Sequence, residues 1–129
     1  MSDMTVTDAA TGLTWEKLTE DEGIHCVRDR YTWDNATAVK IAALNEANFA
    51  GHSDWRLPTN GELLTLVDYE RWSPACRSRF APMQSGYYWS SWTYQGRPNS
   101  AFGVYFLDGT TGALGKTILT YVRAVRAAS

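Results

Sequence analysis

The sequence predicts an α+β domain with an antiparallel sheet. Three observations lead there: a strand–turn–strand pattern opens the chain, two amphipathic helical segments follow, and three runs rich in aromatic and β-branched residues close it. Helices and strands are grouped rather than alternating, which disfavours a parallel sheet with crossover helices. With 129 residues the chain has length for one domain, taken as residues 1–129. Apolar residues make up 44% and charged residues 20%, a composition that excludes a disordered, collagenous or coiled-coil chain.

In residues 4–16 the apolar members Val6, Leu13 and Trp15 flank a turn from Asp8 to Gly12. The acidic stretch 19–23 reads as an exposed loop. Thr32 is placed to cap a helix over 33–48, with Asp34 in its first turn and an apolar stripe of Ala36, Val39, Ala43, Leu44 and Ala47. Thr59 and Glu62 form a capping box that opens a second helix, with Leu63, Leu66 and Val67 on its buried face. Residues 51–57 lie between the helices as a buried connector. Runs 87–94, 101–107 and 118–126 read as strands, and 95–100 and 108–112 as turns.

Seventeen aromatics, six Trp, seven Tyr and four Phe, exceed what a core of this size hides, since each buries about 150–250 Å². Some therefore face solvent. The net charge of −2 conceals an asymmetry: residues 1–70 hold 13 acids and 5 bases, whereas 71–129 hold 7 bases with Asp108 as the one acid. Nine of the twelve bases are Arg, which grips anions bidentately and stacks on rings. No run approaches the roughly 18 apolar residues of a membrane span, and Met1-Ser2-Asp3-Met4 lacks the regions of a signal peptide. Cys26 and Cys76, fifty positions apart, fit one disulfide in an oxidising compartment or two separate thiols in a reducing one, with the bridge slightly favoured.

No catalytic constellation emerges. His25 and His52 are the two histidines, and neither Ser90 nor Ser91 sits in a nucleophile-elbow pattern. His25-Cys26 are adjacent, a poor zinc spacing. Gly109-Thr110-Thr111-Gly112 lacks the Lys and Ser/Thr of a phosphate loop. What stands out is an aromatic and basic cluster around one turn: Tyr87, Tyr88, Trp89, Trp92, Tyr94, Arg97, Asn99 and Tyr105. Alternation turns about half of these outward, where Trp and Tyr beside Arg and Asn suit sugar stacking or a protein partner.

Asp8-Ala9-Ala10-Thr11-Gly12-Leu13-Thr14-Trp15, Thr32-Trp33 with Ala36, Leu44-Asn45, Gly51-His52-Ser53-Asp54-Trp55-Arg56-Leu57-Pro58-Thr59 with Glu62-Leu63, Tyr88-Trp89-Ser90-Ser91, Phe106-Leu107-Asp108-Gly109 and Tyr121-Val122-Arg123-Ala124-Val125-Arg126 follow one another along nearly the whole chain. In this it resembles the family typified by the C-terminal domain of the Legionella collagen-like adhesin. The resemblance implies a C-type-lectin-like fold, two helices packed on antiparallel strands with a long loop region, and an extracellular or cell-surface setting. It implies that Trp55 and Trp89 fill the core and that Asp54 and Arg56 tie the connector through charge-assisted hydrogen bonds. Lectins of that wider fold chelate calcium through an acidic loop; here Arg97 stands in the acid's place in Arg97-Pro98-Asn99, so no calcium site is expected. Cys26 and Cys76 do not match the paired cysteines of the formylglycine-generating enzymes in the same superfamily. Relatives also serve as variable proteins of diversity-generating retroelements.

The expectation is a non-enzymatic binding module with no catalytic residue, metal or cofactor, whose contact surface is Trp92, Tyr94, Gln95, Arg97, Asn99 and Tyr105, extended by Arg123. The partner is a glycan, sulfated in one version, or a protein; nucleic acid and membrane insertion are not expected. A formylglycine-generating-type enzyme and an oligomeric structural tip are the alternatives.

Overall fold

The structure, a computed structural model, describes residues 5–8, 11–18, 27, 29–71, 74–77, 80 and 83–127. The acidic stretch 19–23, His25 and Cys26 lie outside the described residues.

Two strands, β1 (Thr5–Asp8) and β2 (Leu13–Glu16), form the opening hairpin. Its turn closes by amides of Thr11 and Gly12 donating to the Asp8 carbonyl, and Gly12 takes φ +74°, where a side chain is strained. β8 (Val125–Ala127) pairs with β2 and completes a three-stranded sheet in the order β1-β2-β8. The second sheet is built from β3 (Arg30–Tyr31), β4 (Tyr87–Thr93), β5 (Ser100–Tyr105), β6 (Thr110–Gly115) and β7 (Thr120–Tyr121), in the order β3-β7-β4-β5-β6. Its pairs are antiparallel except β4 with β7, which run parallel through Tyr88 and Tyr121.

The architecture is α+β, and it departs from the sequence reading in four places. The expected strand over 118–126 is split: β7 joins the large sheet, residues 122–124 cross over, and β8 joins the small one. The turn expected over 108–112 ends early: the strand β6 begins at Thr110 and runs to Gly115, because six consecutive pairings to β5 outweigh two glycines of low strand propensity. The second helix, α3 (Asn60–Leu64), ends after five residues; its capping box is present, with Thr59 accepting from the Glu62 amide and Glu62 from the Thr59 amide. Val67 instead bridges to Cys76.

The main helical stretch is the fourth. It runs as α1 (Trp33–Asn35), a π-helical turn (Ala36–Ile41) and α2 (Ala42–Glu46), with Thr32 accepting from the Asn35 amide as its cap. A π turn holds an extra residue and shifts the phase of every side chain after it. Val39, expected in the stripe, is 47% exposed, while Lys40, Ile41 and Leu44 turn inward. Lys40 is buried at the cost of desolvation, met by its 2.6 Å bond to Glu16, whose other oxygen accepts from the Ala124 amide at 3.1 Å.

Two apolar clusters fill the interior. One gathers Trp15, Leu63, Leu66, Phe80, Tyr88, Val104 and Phe106 around the small sheet and α3; the other gathers Ile41, Leu44, Trp55, Leu57, Trp89 and Val122 under the main helical stretch. Trp55 and Trp89 are thus core, as expected. Cys76 carries a free, buried thiol, and Cys26, the other half of the disulfide favoured above, lies outside the described residues.

Candidate functional site

β4 positions the aromatic surface through an irregularity. Trp89 pairs with Gly103 but Thr93 pairs with Ala101, so four steps on β4 oppose two on β5. The buried Ser90 hydroxyl fills the gap in the ladder, donating to the Phe102 carbonyl at 2.7 Å and accepting from the Trp92 amide at 3.1 Å. Two groups hold the bulged backbone: Trp33 Nε1 donates to the Ser90 carbonyl at 3.0 Å, and the Ser91 amide donates to the Pro58 carbonyl at 2.7 Å. Bulges re-aim side chains. Because Thr93 shares the Ala101 face, alternation sends Trp92 to the face that carries Phe102, and its ring is left 49% exposed.

The turn after β4 is tight. The Tyr94 amide donates to the Ser100 carbonyl, the Arg97 amide to the Tyr94 carbonyl and the Ser100 amide to the Arg97 carbonyl. Tyr94 lies 5.3 Å from the Phe102 ring, centroid to centroid, and is 37% exposed. Gly96 keeps the ring there, since a Cβ would stand 3.3 Å from it. Gln95, Arg97 and Asn99 are exposed, and Arg97 makes no ion pair among the described residues. By contrast, Asp8 holds Arg77 at 3.0 Å and Asp54 holds Arg126 at 2.6 Å, so acids of the first half neutralise bases of the second. Arg97 escapes this cancellation.

Trp92, Tyr94, Gln95 and Arg97 all stand exposed along the end of β4 and the turn that follows it. Asn99 sits at the end of the same turn and gives its carbonyl to the Lys116 amide, beside a groove of about 480 Å³ that Asp34 and Lys116 also line. Tyr105 does not belong with them. It lies three residues beyond Phe102 on the opposite face, stacked on Tyr87 with centroids 4.6 Å apart. Arg123 is a correction outright: it is fully buried, donating from Nε to the Glu16 carbonyl and from Nη1 to the Phe80 carbonyl and Met83 Sδ. Desolvation presses its pKa downward, and its bonds tie the end of β2 to the segment that precedes β4.

Two features had no signal in the sequence. Phe102 is half-buried and serves as the platform for Tyr94. An open groove of about 550 Å³ lies beside Ser91, floored by Ile41, Trp55 and Leu57 and rimmed by Trp33, Thr37 and Arg56. Its lining comes from three separate segments, which only tertiary packing assembles. Its polar members are mostly engaged: Asn45 exchanges two hydrogen bonds with the Trp55 backbone, and Arg56 grips Glu62 bidentately at 2.7 and 2.9 Å. That grip holds the Glu62 carboxyl below its ordinary range.

Among the described residues no three His, Cys, Asp or Glu side chains converge on one point, and no helix is long and apolar enough to cross a membrane. Burial pushes the Cys76 thiol up to about 11, so it is held as the unreactive thiol at neutral pH. The arrangement presents rings and hydrogen-bonding side chains to solvent, and among the described residues the one cysteine thiol is held protonated.

No curated protein matches the chain. Residues 4–126 match the Lcl C-terminal domain family. With the tryptophan core, the tied connector and the aromatic turn all on one contiguous match, the chain belongs to the Lcl C-terminal domain family.

Proposed function

We propose that this chain is a non-enzymatic, adhesin-like binding domain with a C-type-lectin-like fold, and that it takes a glycan on the surface formed by Trp92, Tyr94, Gln95 and Arg97. The observation that carries this reading is the Ser90 bulge, which spends a buried hydroxyl to turn a tryptophan out of the sheet beside a tyrosine and an arginine that makes no ion pair among the described residues. Rigid aromatic faces offer contact area at low entropy cost, and the neighbouring amide and guanidinium donate to hydroxyl or sulfate oxygens. No acid lies between residues 71 and 107 of the sequence, and the acid that the fold brings to the turn, Asp34, lines the groove beside Asn99 together with Lys116. Family membership supports the adhesin-like part of the reading.

A glycan array probed with the wild type, Trp92→Ala and Arg97→Ala tests it. Binding falls at least tenfold in both variants while their melting temperatures stay with the wild type. Should a sulfated glycan be the ligand, its affinity also weakens with added salt. Array binding that survives both substitutions rejects this surface.

A further inference from the structure

Sheet edges invite other strands, and proteins blunt them with short strands, charges, prolines or bulges. The described edges of this molecule follow that rule with one exception. β3 has two residues and begins with the exposed Arg30, and β1 has four and ends in Asp8. β6 has six residues, Thr110-Thr111-Gly112-Ala113-Leu114-Gly115, with no charge and no proline. Its register to β5 runs through six consecutive pairs without a bulge, and none of its residues is buried. Among the described residues β5 is its sole strand neighbour, so the other edge of the strand is unpaired.

The two ends of β6 are oppositely charged. Asp108 precedes it, exposed and folded back to accept from the Thr110 amide and hydroxyl. Lys116 follows it, half-buried, its ammonium 4.1 Å above the Trp33 ring and donating to Thr93. Neither has an ion-pair partner among the described residues. A strand of this kind complements itself in one direction only: parallel pairing would set like charges together, and antiparallel pairing sets the Asp108 end of each copy beside the Lys116 end of the other.

We propose that β6 is a self-association edge, at which two copies of this chain pair antiparallel about a two-fold axis through Gly112. In that register Gly112 meets Gly112, where the absence of side chains lets the backbones approach. Thr111 of each copy faces Ala113 of the other, and the strand end that carries Asp108 in one copy lies beside the end that carries Lys116 in the other. The two five-stranded sheets become one continuous sheet with an isologous interface.

Analytical ultracentrifugation and light scattering of the full chain over a concentration series test this. The expected mass is twice the 14.4 kDa of one chain at the upper concentrations. Ala113→Lys alone sets two lysines diagonally across the axis and weakens association about tenfold or more, as does Thr111→Glu alone with two glutamates. Asn60, which donates to the Thr111 hydroxyl, keeps an acceptor in Glu. Combining the two substitutions places an ammonium of one copy opposite a carboxylate of the other on both sides of the axis, and it restores the dimer provided the pairing is antiparallel and centred on Gly112. Thermal melts of all three variants confirm that each is folded. A one-chain mass at every concentration, a dimer that Ala113→Lys leaves untouched, or a double variant no better than the single ones overturns the proposal.

Discussion

Single residues in this fold act mostly by satisfying a backbone that its neighbours cannot. Ser90 stands in for a missing ladder bond, Asn45 mimics a strand partner for Trp55, and Glu62 serves both the Thr59 amide and Arg56. The last pair makes stability depend on pH. Arg56 and the Thr59 amide favour the ionised carboxyl, so the folded pKa of Glu62 lies below its unfolded value. Its contribution is present above about pH 4.3 and is lost as pH falls through the folded value. Urea melts at neutral pH and at acid pH should show the wild type losing more stability on acidification than Glu62→Gln. Equal losses would mean that another carboxyl carries the acid sensitivity.

Elements are placed by a few buried contacts rather than by propensity. The π turn exists where Lys40 must reach Glu16, and Glu16 in turn holds the Ala124 amide, so one ion pair joins the main helical stretch, β2 and the crossover before β8. Removing one member of a buried pair strands the other charge and costs about 3–5 kcal/mol. Lys40→Met should lose that much by chemical denaturation, and Lys40→Met with Glu16→Gln should recover part of it, since the amide oxygen still accepts from Ala124. A double variant as unstable as the single one would show that shape, not charge, is what Lys40 supplies. The capping of both helices was legible from Thr32, Thr59 and Glu62, because caps are local. The phase of the stripe was not: Val39 and Lys40 exchange roles through a contact made with a strand 24 residues earlier.

At the scale of the whole molecule, the last strand locks the sheets together. Residues 120–127 pass from the large sheet to the small one, and on the way Arg123 donates to the Glu16 carbonyl of β2 and to the Phe80 carbonyl ahead of β4, while Val125 exchanges two backbone bonds with Arg56. The Cys76 thiol is free and buried within this packing. The melting temperature should therefore be the same with and without a thiol reductant, and a thiol-reactive dye should label Cys76 only after denaturant is added. A melt lowered by reductant would contradict the free thiol.

The residues alone determined the α+β class, the caps, the tryptophan core and the family, since these rest on periodicity, short spacings and a motif string that runs the length of the chain. They also located the exposed turn of Trp92, Tyr94 and Arg97. Tertiary structure alone decided that Tyr105 faces the other way, that Arg123 is interior, that 118–126 serves two sheets and that 110–115 is an edge strand. Each of those outcomes depends on which backbone groups find partners across dozens of residues, and a buried amide or guanidinium takes the partner that the assembled fold brings to it. Local sequence carries no record of that choice.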